Sequence, residues 1–89
     1  MIRKKVLIVN KLGLHARAAA KFVTMASVFK SEIHLVRGER TVNGKSIMGV
    51  MMLAAGKGTE LELVAQGDDE AEAVAMLAEL VEKRFGEAS

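Results

Sequence analysis

The chain has 89 residues and a net charge of +2, and it contains no cysteine, proline, tryptophan or tyrosine. A chain of this length supports one core that buries roughly two-thirds of the unfolded surface, so a single domain over residues 1–89 is expected. Without cysteine there is no disulfide framework, thiolate zinc site or Cys-X-X-Cys redox pair, and no stretch approaches the ~20 apolar residues of a membrane span.

The start of the chain carries Lys4 and Lys5 before the short apolar run Val6 to Val9. That run is too short for the apolar region of a secretory signal, so a cytoplasmic location is expected. Charge is unevenly placed: residues 1–45 hold ten basic and two acidic side chains, residues 46–89 three and nine. One account is local, with Asp68, Asp69, Glu70 and Glu72 gathered at a helix N-terminus where acidic groups are favoured. The other is a basic surface for an anionic group or an acidic partner. Both can hold.

Lys5 to Val9 reads as a strand that is central or buried on both faces. Asn10 to Leu14 is a loop punctuated by Gly13. From Ala16 to about Phe29 the pattern is helical, with Arg17, Lys21, Thr24 and Ser27 on a polar stripe and Ala16, Ala19, Ala20, Val23 and Ala26 on the apolar side. Glu32 to Arg37 alternates as a strand with Ile33 and Leu35 inward, and Gly38-Glu39 turns the chain into a second short strand, Arg40 to Asn43. Ser46 is placed to cap a short helix from Ile47 to about Leu53, which Gly49 weakens by up to ~1 kcal/mol and Gly56 and Gly58 end. Glu60 to Ala65 is a strand with Leu61, Leu63 and Ala65 inward. A last helix runs from about Asp69 to Phe85, with Ala71, Val74, Leu77, Ala78, Val81 and Phe85 as its apolar stripe and Lys83 and Arg84 at its end. The order βαββαβα, with helices that each carry one apolar stripe, predicts an α+β open-faced β-sandwich: a four-stranded, mainly antiparallel sheet with helices on one face.

His15 is the residue whose surroundings invite chemistry. It opens a helix, where unpaired backbone N–H groups and the positive end of the dipole gather, and Arg17 lies two residues on. An anion held there meets amides and a guanidinium together. Imidazole is a nucleophile, and a nucleophile beside an anion hole is the arrangement phosphoryl transfer requires. On spacing alone, a surface histidine capping a helix is the more economical account of Gly-X-His-X-Arg.

The segment Asn10-Lys11-Leu12-Gly13-Leu14-His15-Ala16-Arg17-Ala18-Ala19 closely resembles the active-site segment of the HPr family, the histidine-containing phosphocarriers of the bacterial phosphoenolpyruvate-dependent sugar phosphotransferase system. Lys45-Ser46-Ile47-Met48-Gly49-Val50-Met51 resembles the family's second signature, around its regulatory serine. The resemblance runs the length of the chain in element order and motif position. It implies that His15 is the phosphoryl acceptor through Nδ1, that Arg17 helps neutralise the phosphate, and that Ser46 is a target of an ATP-dependent HPr kinase/phosphorylase. It implies enzyme I, charged by phosphoenolpyruvate, as donor and enzyme II A-type proteins as acceptors, with a docking face drawn from Ala16, Ala20, Thr24, Ile47, Met48 and Met51. Ala18 departs from the family, many of whose members have proline there; alanine leaves the helix start more mobile and removes no functional group.

Met48, Met51 and Met52 exceed what one short helix can bury, so they divide between core filling and an adaptable docking patch. His34 reads as structural. No metal ligand set, nucleotide loop or second acid or base accompanies His15, so a monomeric carrier without cofactor or metal is expected, not an autonomous enzyme. An RNA-binding module of the same topology would stack bases on strand aromatics, yet Phe22, Phe29 and Phe85 all fall on helices in this reading, so no nucleic-acid partner is expected. The nearer alternative is a nitrogen-related or regulatory member of the family that acts on regulators instead of sugar permeases.

Overall fold

The computed structural model describes all 89 residues. The elements are β1 (Ile2–Leu7), α1 (Ala16–Ala26), β2 (Glu32–Arg37), β3 (Arg40–Asn43), α2 (Ile47–Met52), β4 (Glu60–Gln66) and α3 (Glu70–Glu82), with a 3-10 turn at Arg84–Gly86. The four strands form one antiparallel sheet in the order β1-β4-β2-β3. Leu61, Leu63 and Ala65 of β4 face the helices, aligned with Val6 on one side and with Ile33 and Leu35 on the other. Phe22 of α1 and Leu77 of α3 meet them in a single core. This is the α+β open-faced sandwich expected from the sequence. No helix is long and apolar enough to cross a membrane.

The other sheet face is polar. Val64 is buried there at 6% exposure, flanked in register by Arg3 and His34, and Arg3 pairs with Glu62 at 2.8 Å. His34 lies half-exposed on this face, opposite Val64 in register.

Several elements differ in detail from the sequence reading. Strand β1 begins at Ile2 and is an edge strand, neither central nor buried on both faces: Arg3, Lys4 and Lys5 are exposed, and only Val6 is buried. A charged edge also resists pairing with other chains. Helix α1 ends at Ala26 and turns Ala18 and Phe22 into the core with Ala19, Val23 and Ala26, leaving Ala16 exposed and Ala20 half-buried. In α3 Ala73 is buried beside the expected Ala78, while Ala71 is exposed. That helix stops at Glu82, and Phe85 enters the core from the 3-10 turn.

Asp69 stands at the start of α3, as the sequence predicts, and its carboxylate is free of that helix's amides. It reaches across to the turn before β2, accepting from Ser31 Oγ (2.5 Å) and from the amides of Lys30 (2.9 Å) and Ser31 (3.0 Å). The Ser31 hydroxyl, and after it the Lys30 amide, holds the Asp69 carboxyl below the usual carboxylate range. A carboxyl held lower in the folded chain than in the unfolded one contributes stability above its unfolded value. That contribution disappears as pH falls from the ordinary carboxylate range through the lower folded value. Asp69→Asn should therefore melt several degrees below the wild type at neutral pH. The gap should close on acidification through that window, as thermal melts along an acid series would show.

Candidate functional site

The loop after β1 sets the site. Gly13 has φ +66, and a Cβ there would lie 2.4 Å from the Ala55 carbonyl oxygen, so glycine alone allows the loop to press against the segment after α2. The Leu14 amide then donates to Ala55 O at 2.8 Å. His15 follows with extended backbone (φ −69, ψ 175) as the N-cap of α1, and its carbonyl accepts from the Ala19 amide at 2.8 Å. The amides of Ala16, Arg17 and Ala18 precede that bond and have no helical acceptor.

The His15 ring does not cap the helix. Its Nε2 lies 2.5 Å from Glu87 Oε2, with both side chains mostly shielded (28% and 16% exposed). Glu87 is 72 residues away in sequence. It reaches the ring because Arg84 and Phe85 both take left-handed φ (+60 and +55), which turns the chain back after α3. Such residues cost about 1 kcal/mol or more each. Two features offset this: the Phe85 ring is buried, and Lys21 Nζ donates to the Phe85 carbonyl at 2.8 Å. Asn10, fully buried, completes the tie by donating from Nδ2 to Gly13 O (2.8 Å) and Glu87 Oε1 (3.0 Å). Turning both amide hydrogens to these acceptors leaves Asn10 Oδ1 buried without a partner.

The Asn10 amide first, and then the His15 ring, hold the Glu87 carboxyl below the usual glutamate range. An ionised carboxylate only accepts, so the hydrogen bond requires the proton on Nε2. In the neutral ring that leaves the Nδ1 lone pair free. Arg17 is exposed on the first turn of α1, lines the same cleft as His15, Lys11, Lys21 and Glu87, and joins none of the chain's ion pairs.

Ser46 caps α2 as the sequence predicts: its Oγ accepts from the Gly49 amide at 3.1 Å. Val50 alone is buried within α2, while Ile47, Met48, Met51 and Met52 are exposed at 45, 74, 41 and 61%. The methionines are therefore surface, not core filler. Helices α1 and α2 are in contact, and Ala16 and Thr24 are exposed on α1 with Ala20 half-exposed. Glu87 escaped sequence reading altogether, because nothing local ties an acidic residue near the C-terminus to His15. The two left-handed residues that deliver it have no sequence signature.

Together these features define a small α+β protein that presents one imidazole at the head of a helix, in a surface cleft shared with Arg17 and Lys21. The family model described as "PTS HPr component phosphorylation site" matches residues 2–83. Over 87 residues the chain is 55% identical to phosphocarrier protein HPr of Neisseria meningitidis serogroup A, covering 98% of each. The crystal structure of HPr-C-His from Thermoanaerobacter tengcongensis superposes with a TM-score of 0.96 at 47% identity, covering both chains completely. A crystal structure of an HPr dimer from the same organism gives 0.79 at 48% identity, covering 98% of this chain and 100% of that one. The chain belongs to the HPr family of phosphotransferase-system phosphocarriers.

The Glu87 link can be tested in solution. Carboxyl titration by NMR should find Glu87 ionising below the ordinary glutamate range, and Asn10→Ala should move it back up. The 15N signals of the neutral His15 ring should report the Nε2–H form, and Glu87→Ala should yield a tautomer mixture. A wild-type ring protonated at Nδ1 would contradict the geometry.

Proposed function

We propose that the chain acts as a single-domain, cytoplasmic, monomeric carrier whose His15 Nδ1 accepts a phosphoryl group from phosphoenolpyruvate-charged enzyme I and passes it to enzyme II A-type proteins. The observation that carries this reading is the Glu87 carboxylate on His15 Nε2, which leaves Nδ1 as the nucleophilic nitrogen. In the transfer the Nδ1 lone pair forms the N–P bond, and the donor atom of enzyme I keeps the electron pair of the bond that breaks. The phosphorylated ring retains its Nε2 proton and a positive charge, which faces the ionised Glu87. Arg17 and the free first-turn amides face the phosphoryl oxygens. In this reading donor and acceptor proteins supply the rest of the chemistry, and the protein serves as a phosphorylated intermediate and not as an autonomous catalyst.

After incubation with enzyme I and phosphoenolpyruvate, intact mass should rise by one phosphate in the wild type and not in His15→Ala, and the adduct should be acid-labile. Arg17→Ala should keep the fold and slow transfer about tenfold or more, the scale of one charge-assisted hydrogen bond. Label persisting in His15→Ala would sink the assignment.

The docking face in this reading joins Ala16, Ala20 and Thr24 of α1 to Ile47, Met48 and Met51 of α2, with Ser46 at its edge as the site of ATP-dependent phosphorylation by HPr kinase/phosphorylase. A phosphate there adds about −2 charge. It sits next to a helix N-terminus, so the fold tolerates it, while an acidic partner meeting the basic half of the chain is repelled. Ser46→Asp should slow transfer from enzyme I, less than the phosphate does. Met48→Glu should weaken docking with little change in melting temperature, since Met48 is 74% exposed. Wild-type transfer rates in both folded variants would remove α2 from the docking face.

A further inference from the structure

Helix α2 is six residues long and cannot persist on its own. Val50 and Leu53 anchor it, at 0% and 2% exposure, while four large apolar side chains face solvent. Its N-terminal end has the Ser46 cap. Its C-terminal end is not closed by the glycines at 56 and 58. The left-handed residue there is Ala54, with φ +51, a position where glycine is favoured and a side chain is strained. The last carbonyls of the helix would otherwise end in solvent.

Two arginines of the β2–β3 hairpin take those carbonyls. Arg37 Nη1 donates to Leu53 O (2.7 Å) and Ala54 O (2.9 Å), and Arg40 Nη1 donates to Met52 O (2.7 Å). Arg37 and Arg40 are paired in register across the two-residue turn, so one rigid hairpin end delivers both guanidinium groups. Neither has an acidic partner. Cations at a helix C-terminus complement its dipole, and here they also satisfy three carbonyls next to a strained residue.

The geometry points to Arg37 and Arg40 as positioning residues that brace the exposed α2 patch in its docking orientation, so the hairpin helps to set the affinity for enzyme I. The partner need not touch either arginine. The inference rests on the docking role of α2 proposed above.

The test uses the full chain with Arg37→Met and Arg40→Met together, which keep the aliphatic stems and remove the three hydrogen bonds. Arg40→Met alone serves if the double variant folds poorly. The Leu53 and Ala54 amides, bonded to Val50 and Met51 carbonyls, should exchange with solvent about tenfold or more faster, while β4 amides are unchanged. KM for phosphorylated enzyme I should rise about tenfold with kcat unchanged, since His15 and Arg17 are intact. Lysine at both positions should restore part of the loss. Ala54→Gly in the methionine background should do so too, because it relieves the left-handed residue without restoring charge. Unchanged exchange would overturn the brace. Faster exchange with an unchanged KM, or a loss confined to kcat, would overturn its link to docking. Failure of the wild type to take phosphate on His15 would instead overturn the carrier reading and the docking half of this inference, while the exchange rates would still decide whether the arginines hold α2.

Discussion

The position of His15 depends on how closely two loops approach each other at Gly13. A side chain there would strike the Ala55 carbonyl and, at 2.7 Å, the Gly56 Cα. Because nothing intervenes, the Leu14 amide closes onto Ala55, Leu14 is buried, and α1 starts at a fixed point above the segment that ends α2. Asn10 fastens the same loop from beneath and extends the tie to Glu87. The end of β1, the head of α1, the exit from α2 and the C-terminal tail thus converge through a handful of hydrogen bonds. The imidazole and the exposed patch of α2 are thereby held at a set distance from each other.

Most of the architecture was legible because its periodicities are unambiguous. Ile33 and Leu35, and then Leu61, Leu63 and Ala65, alternate inward as predicted, and the Gly38-Glu39 hairpin and the Ser46 cap rest on local chemistry that tertiary context did not override. The errors cluster where alanine carries the pattern. An alanine buries little and is tolerated on either face of a helix, so Ala16 and Ala20 could stand in for Ala18 in one reading of α1, and Ala71 for Ala73 in α3. Phe22, with far more area to bury, settles the rotation of α1. In β1 the charges of Arg3 and Lys4 concealed the strand's start, since an edge strand pairs with β4 on little burial, here Val6 and the partly buried Ile2. The candidate site was half legible. His15, Arg17 and Ser46 stand in local motifs, whereas Glu87, Asn10 as its anchor, and the Arg37–Arg40 brace arise from contacts between distant segments.

A carrier must release what it accepts, and the construction around His15 bears on that requirement. Arg17 is exposed, and a charge pair in water contributes little, commonly no more than about 1 kcal/mol. Lys21 is already engaged with the Phe85 carbonyl. A phosphoryl group on Nδ1 would thus be met by one screened guanidinium and a few backbone amides, enough to orient it without trapping it. Glu87 lies on the opposite nitrogen, where it would stabilise the charge of a ring phosphorylated at Nδ1 without touching the phosphate. In the proposed transfer, the strong electrostatic stabilisation that a transition state demands would come from a partner that covers the cleft and excludes water. A cleft left uncovered until a partner arrives suits the proposed carrier: a deeper pocket around His15 would hold a phosphoryl group more firmly and slow the second transfer as much as it favoured the first.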